Sequence, residues 1–391
     1  MRRESFIESR WVIYSICFGV IFTDMVGYGI ISPSIPLFAK NLSASDSQMG
    51  YAFAGYPIAF TLFIIPLGLL VDRVGKNYLI ISISMYILSL ASLMMAFSTS
   101  IWMLILARAL QGFVSASAWV ATQPLVAGRA GGGEVSSREI SIVTIASGVG
   151  VIVGPLLGSI GSLETPFFIN AALAFFLALC ASLFLTRQGT GSSEKKQGFL
   201  ELLKQKGILV ACLAIFFSCS CFGIMELLLP LYLDRLGYVK LSIGIFFGIF
   251  SVLYVASQPL ISRWIDRKGG YGPIYIGSLG LAIGMTVVVQ AAWFVSFSVI
   301  MSFLGVFSGM LFLASMFVVG KESKEGQRGS AYALWNLAFS LGYLIGPVAG
   351  GNLSSLLGLK TAFYIFAAAL LIGTAWIYLT VKGETRDRPA S

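Results

Sequence analysis

The sequence predicts an all-α integral membrane protein with 12 transmembrane helices arranged as two pseudosymmetric six-helix bundles. Three observations predict it. Of the 391 residues, 57% are hydrophobic and only 11% charged, with a mean hydropathy of +0.88, which is more apolar surface than a water-soluble fold can hide. Apolar runs near the length of about 20 residues that a helix needs to cross a bilayer recur along the whole chain. Two unrelated motifs also repeat half a chain apart. The glycine frame Gly150-x-x-x-Gly154-Pro155-x-x-Gly158 returns as Gly342-x-x-x-Gly346-Pro347-x-x-Gly350, its prolines 192 positions apart, and Asp72-Arg73-x-Gly75 returns as Asp266-Arg267-x-Gly269, 194 apart. Duplication in a chain this hydrophobic is how membrane transporters build two bundles around a central site.

The first bundle takes residues 1–185, with spans at 11–38, 48–71, 78–97, 102–127, 140–160 and 167–185. The polar stretch Thr186 to Lys206, rich in Gly, Ser, Gln and Lys, reads as a cytoplasmic linker. Its Phe199-Leu200-x-Leu202-Leu203, flanked by lysines, has the pattern of either a short surface-lying helix or a solvated tether. The second bundle takes residues 207–391, with spans at 207–232, 241–264, 273–291, 296–320, 331–353 and 361–379 and a short cytoplasmic tail. Only Ala292 to Phe297 divides its third and fourth spans.

The net charge of +9 suggests a nucleic-acid partner until the basic residues are placed. With the amino terminus inside, 21 of them fall in cytoplasmic segments and four (Lys40, Arg235, Lys240, Lys360) in outer loops, leaving Arg108 alone within a span. That asymmetry orients both termini to the cytoplasm and makes the lipid bilayer, not nucleic acid, the partner. The first apolar run is too long for a cleavable signal and leads straight into further spans. Cys17, Cys180, Cys212, Cys219 and Cys221 lie within predicted helices, where thiols pack as small apolar groups. The chain has no histidine, no nucleotide-binding loop of the Walker type and no metal-ligand cluster, so neither an enzyme nor an ATP-driven pump is expected, and no cofactor or metal.

The residues that carry chemistry follow in chain order. Asp24 lies near the middle of the first helix, and without histidine a carboxylate is the obvious group to take up and release a proton inside a membrane. Pro66-Leu67-Gly68-Leu69-Leu70-Val71-Asp72-Arg73-Val74-Gly75-Lys76 combines a glycine turn with a carboxylate and a guanidinium able to latch onto helix ends. Arg108, in Leu104-x-x-x-Arg108-x-x-Gln111-Gly112, is costly inside a span and needs a partner or a hydrated cavity; it either ties helices together or tunes a facing carboxylate. Gly150, Gly154 and Gly158 share one helix face, where they let another helix come close, and Pro155 removes a backbone hydrogen bond. Glu226 is the second acidic residue within a span, four residues before Pro230.

Taken together these motifs resemble the major facilitator superfamily. Gly68, Leu70, Asp72, Arg73, Gly75 and Lys76 fit its loop motif, Arg108, Gln111 and Gly112 fit its buried-arginine motif, and the glycine-proline frame fits the pattern associated with antiporters at the interface between the two halves. Asp24 followed by Pro33-x-x-Pro36, Glu226-x-x-Leu229-Pro230-Leu231, and Ala333-Leu334-Trp335-Asn336-Leu337-Ala338-Phe339 narrow the resemblance to the drug:proton antiporter group with 12 spans, which includes the vesicular amine transporters. Ser159 and Ser262 stand where the patterns have glycine, and Asn336 stands where the amine transporters carry an acid.

The resemblance implies a proton-coupled antiporter that exports drug-like or amine small molecules. Asp24 and Arg108 are expected to couple protons; Glu226, Tyr28, Trp119, Gln123, Trp335 and Asn336 to contact substrate. Gly68, Asp72, Arg73, Gly75, Lys76, Asp266 and Arg267 are expected to gate, and Gly150, Gly154, Pro155, Gly158, Gly342, Gly346, Pro347 and Gly350 to pack helices. The chain is expected to act as a monomer in a prokaryotic cytoplasmic membrane. A transporter of sugars, amino acids or other metabolites, and a non-transporting membrane receptor or scaffold, are the alternatives.

Overall fold

A computed structural model describes residues 10–74, 77–127, 137–185, 202, 205–322 and 328–387. The described residues are helical apart from short connections. In the first half the helices are α1 (Arg10–Gly29), α2 (Ile31–Asn41), α3 (Asp46–Val74), α4 (Asn77–Ala96), α5 (Ile101–Ala127), α6 (Ser137–Gly158) and α7 (Thr165–Phe184). The second half has α8 (Lys206–Arg235), α9 (Lys240–Ala256), α10 (Gln258–Lys268), α11 (Tyr271–Val288), α12 (Phe294–Glu322), α13 (Arg328–Leu357) and α14 (Leu359–Asp387). Among the described residues, ten segments are long and apolar enough to span a bilayer, and Ile145–Gly158 is a shorter apolar helix. Helices dominate because only a helix satisfies every backbone group within one lipid-exposed segment.

Two predicted spans are broken. The first divides at Ile30, where Pro33 cannot donate to the carbonyl of Gly29, and the eighth divides at Ser257, where Pro259 cannot donate to Val255. Most of the linker at 186–206 lies outside the described residues, as do Gly75 and Lys76. Gly68, Asp72 and Arg73 sit on α3, with side chains outside the description.

Contacts divide the chain into two compact units. The first holds residues 1–44, 52–194 and 239–245; the second holds 45–51, 195–238 and 246–391. Each unit pairs its helices in the same way. In the first, α1 packs on α6, and α4 on α5 and α7; in the second, α8 packs on α13, and α11 on α12 and α14. The core of the first unit shows why. Ile13, Cys17, Val20 and Ile21 form one stripe of α1 and meet Ile81, Met85 and Leu88 of α4, Val114, Ala118 and Ala121 of α5, and Ala174, Ala178 and Ala181 of α7. The alanines of α7 form a shallow face that brings large residues close, the usual solution where lipid removes the hydrophobic drive between helices. Leu62, Ile83, Leu90, Leu106, Phe176 and Leu183 point outward as an apolar surface fit for lipid.

The glycine frames pack within the units, each against the helix that carries a membrane carboxylate. A Cβ on Gly154 would lie 2.8 Å from Gly29 Cα in α1, and one on Gly346 would collide with Ser220 O in α8. Gly29 in turn approaches Pro155, and Gly223 approaches Pro347, so these two partner glycines are 194 positions apart, like the two Asp-Arg motifs. The same offset links Gly50 and Gly244. Gly50 faces Pro347 O within the second unit, and Gly244 faces Pro155 O and Ser159 within the first. Around Gly50, Asp46 Oδ2 accepts a 2.5 Å bond from Ser354 and lies 3.5 Å from Arg235, while Ser47 bonds Ser355. Around Gly244, Lys240 Nζ donates to Ser162 O at 3.0 Å.

Because neighbouring backbone fills the space beside these glycines, Gly154→Leu and Gly346→Leu are each expected to cost about 3 kcal/mol of stability. Thermal unfolding of the purified protein in detergent checks this, and an unchanged transition would show that the helices separate freely.

Candidate functional site

Asp24 continues the buried stripe of α1, seven residues after Cys17 and four after Val20, so it points into the first unit and has no exposed surface. A carboxylate there must be hydrogen-bonded, since hydrocarbon offers it nothing. Ser115 of α5 supplies the bond, donating from Oγ to Asp24 Oδ1 at 2.5 Å. Tyr56 of α3 donates to Ser115 Oγ at 2.9 Å, giving an unbroken hydroxyl chain Tyr56–Ser115–Asp24. The half-buried Trp119, one turn along from Ser115, approaches the same carboxyl with looser geometry. Asp24 Oδ2 keeps no partner that meets hydrogen-bond geometry.

Arg108, two turns before Ser115 on α5, is as deeply buried at 1% exposure. Its guanidinium lies over three rings, 4.9 Å from the centroid of Tyr56, 5.2 Å from Phe53 and 5.6 Å from Tyr28, and Nη1 donates to Gln111 Oε1 at 2.5 Å. The rings offer their electron-rich faces to the cation, which offsets part of the cost of removing it from water. Gly112 explains how α3 comes near enough: a Cβ there would collide with Tyr56 O. Beside this box, buried Asn170 of α7 donates to Ser92 at 3.0 Å and leaves Oδ1 without a partner, and its amide and that of Gln111 both lie close to Gly27.

The predicted residues therefore separate into two sets. Asp24, Tyr28, Arg108 and Trp119 gather in the first unit. Gln123 is on α5, with its side chain outside the description. Glu226, Trp335 and Asn336 belong to the second unit. Glu226 is buried at 3% exposure. Trp335 is buried and donates from Nε1 to Ser315 at 3.1 Å, whereas exposed Asn336 bonds back to Tyr332 O of its own helix. Asp266 and Arg267 are exposed at the end of α10, and Gly269 closes that helix with φ of 81°.

Trp335 abuts a feature that the sequence did not announce. Phe222, Phe250, Tyr254, Phe312, Phe339 and Tyr343 contact one another in a closed circuit, with centroid separations from 4.8 to 6.3 Å. Glu226 lies one helical turn beyond Phe222 on the same face of α8. Phe53, Tyr56 and Ser115 likewise belong to no motif that marks them in the sequence. Ser115 was within reach of sequence reasoning, because it falls on the face of α5 that Arg108 occupies.

Comparison with known proteins decides the family. The sequence profile of the Major Facilitator Superfamily matches residues 17–301 and 276–391. The chain belongs to the Major Facilitator Superfamily. It is thus a multi-pass integral membrane protein and a transporter of small molecules, not an enzyme. Multidrug resistance protein 2 of Bacillus subtilis is 25% identical, the alignment covering 98% of each chain. The class B tetracycline resistance protein from Escherichia coli is 26% identical over 91% of this chain and 89% of its own. The synaptic vesicular amine transporter of Mus musculus is 27% identical over 84% of this chain, which spans 65% of that longer protein. Among solved structures, a bacterial homolog of the human lysosomal transporter Spinster superposes with a TM-score of 0.82 at 15% identity, over 98% of this chain and 99% of its own. The nucleoside transporter NupG does so with a TM-score of 0.77 at 16% identity, over 95% of this chain and 99% of its own. These last two likenesses bear on the fold alone.

The guanidinium plane is what the three rings and Gln111 recognise. Arg108→Lys, which keeps the charge and loses the plane, is expected to destabilise the protein by about 2 kcal/mol. Its unfolding transition beside that of Arg108→Met checks this; a Lys variant as stable as wild type would show that the charge alone suffices.

Proposed function

We propose that this transporter is a proton-coupled antiporter that exports lipophilic, drug-like or amine compounds by alternating access across a prokaryotic cytoplasmic membrane. Asp24 is its proton carrier. The observation that carries the reading is the placement of Asp24: a fully buried carboxyl bonded through the hydroxyls of Ser115 and Tyr56, the ring of Tyr56 lying under the Arg108 guanidinium. A structural acid in such a place would be paired with a cation; a carboxyl left to hydroxyl donors can exist in either protonation state at moderate cost. Arg108 joins the coupling through Tyr56, whose ring its guanidinium approaches to 4.9 Å and whose hydroxyl bonds Ser115.

Support for the substrate class comes from the second unit and from the relatives. The aromatic circuit with Glu226 one turn away combines flat apolar faces with a single anionic group, the composition that suits an organic cation. Two relatives that align over most of both chains are named for resistance to several drugs or to tetracycline, and a third for amine transport. Orientation of both termini to the cytoplasm rests on the basic-residue asymmetry.

Everted membrane vesicles with an acidified lumen test the reading with ethidium as the probe, since protons leaving the lumen would draw the substrate in. Asp24→Asn is expected to lower gradient-driven accumulation by roughly 100-fold while the protein remains in the membrane. Glu226→Gln is expected to weaken ethidium transport selectively against an uncharged dye. Accumulation by Asp24→Asn at the wild-type rate would remove that residue from coupling.

A further inference from the structure

Asp24 has no surface of its own through which a proton could arrive. Neither it nor Ser115 has any exposed area, whereas Tyr56, the next member of the hydroxyl chain, keeps part of its surface accessible. We propose that Tyr56 and Ser115 form the proton path to Asp24, with Tyr56 as the entry. The inference rests on the reading of Asp24 as proton carrier and adds the two residues that load it.

The hydrogen bonds already run in the direction such a path needs. Tyr56 Oη donates to Ser115 Oγ at 2.9 Å, and Ser115 Oγ donates to Asp24 Oδ1 at 2.5 Å. A hydronium ion at the exposed edge of Tyr56 gives its proton to the phenol oxygen. The phenol proton passes to Ser115 Oγ, and the serine proton passes to Oδ1. Each hydroxyl oxygen loses one O–H bond as it gains another, so the net change is one carboxylate converted to one carboxylic acid and one hydronium to water. Rotation of the two hydroxyls then resets the chain. Arg108, whose guanidinium lies 4.9 Å from the Tyr56 ring centroid, holds that ring in place.

The duplicated fold supplies its own control. Gly112 against Tyr56 O in the first unit is matched by Gly305 against Phe250 O in the second, and Gly29 by Gly223, so the register between the repeats is known at these helices. In that register Tyr56 corresponds to Phe250, Ser115 to Ser308 and Asp24 to Ser218. The second unit keeps the glycine contact and both helices yet has neither the phenol nor the acid. The hydroxyl chain is therefore no requirement of packing. Across the helices packed against α1, the charged or titratable groups on described side chains are Arg108 on α5, Cys180 on α7, Tyr78 and Tyr86 on α4, and Lys40 on α2; Tyr14, Cys17 and Tyr28 lie on α1 itself. Of these, Arg108 and Tyr28 belong to the box around Tyr56.

The test follows the arrival of the proton and needs no substrate. Full-length protein in lipid vesicles is exposed to a rapid drop in pH while the infrared carbonyl band of protonated Asp24, identified by its loss in Asp24→Asn, is recorded against time. Tyr56→Phe and Ser115→Ala are each expected to slow the appearance of that band by roughly 100-fold. Tyr56→Phe should leave the final band height and the melting temperature unchanged, and Ser115→Thr, which keeps a hydroxyl, should retain the wild-type rate. A wild-type rate in Tyr56→Phe overturns the path and leaves Asp24 as carrier. A band that never forms at any pH overturns both. Should Ser115→Ala fail to fold, Tyr56→Phe decides alone.

Discussion

A carboxyl group within a membrane-spanning helix must be turned from lipid and given hydrogen bonds, and much of the first unit can be understood as meeting that demand. The stripe Ile13–Cys17–Val20–Ile21 fixes the rotation of α1, and Asp24 is on the same stripe, so the packing that stabilises the bundle also aims the acid inward. The small residues of α6 and α7 then let α1 sink deep enough to exclude solvent. Close approach by Gly112 brings Tyr56 of α3 to Ser115 of α5. Remove the close contacts and the acid would face lipid or bulk water instead of the hydroxyl of Ser115.

The two halves share a framework and differ in what it holds. Equivalent glycines meet equivalent prolines and backbone carbonyls in both, down to Gly29 and Gly223 or Gly112 and Gly305. Upon that common frame the first unit places an acid, a cation and hydroxyls, and the second an aromatic circuit with Glu226. The two carboxylates are not counterparts: the position matching Asp24 is Ser218, and the one matching Glu226 is Ser32. Such divergence is what a duplicated transporter needs if one half handles protons and the other organic substrate.

Much of this was legible from the residues. Apolar runs and the repeated motifs predicted helical spans and internal duplication, and the lone intramembrane acid and arginine of the first half pointed to Asp24 and Arg108. Contacts made by small or ordinary residues were not legible. Ser115 is one serine among many, and only the meeting of α3 with α5 gives it a carboxyl to bond. The aromatic circuit draws on α8, α9, α12 and α13, so no stretch of sequence contains its pattern. Trp335 and Asn336 looked alike as neighbours in a motif, but a helix turns successive residues by about 100°, and they part company. The breaks at Ile30 and Ser257 were signalled by Pro33 and Pro259, which the apolar runs masked.

Residues 239–245 count with the first unit although the chain reaches them only after entering the second. The face formed by Pro155 and Ser159 is therefore left without its neighbour, Gly244, until the start of α9 has been translated. Biogenesis of the amino-terminal half cannot finish on its own schedule: helices α1 to α7 can insert and associate early, but their last contact waits for the ribosome to deliver a segment from the other half.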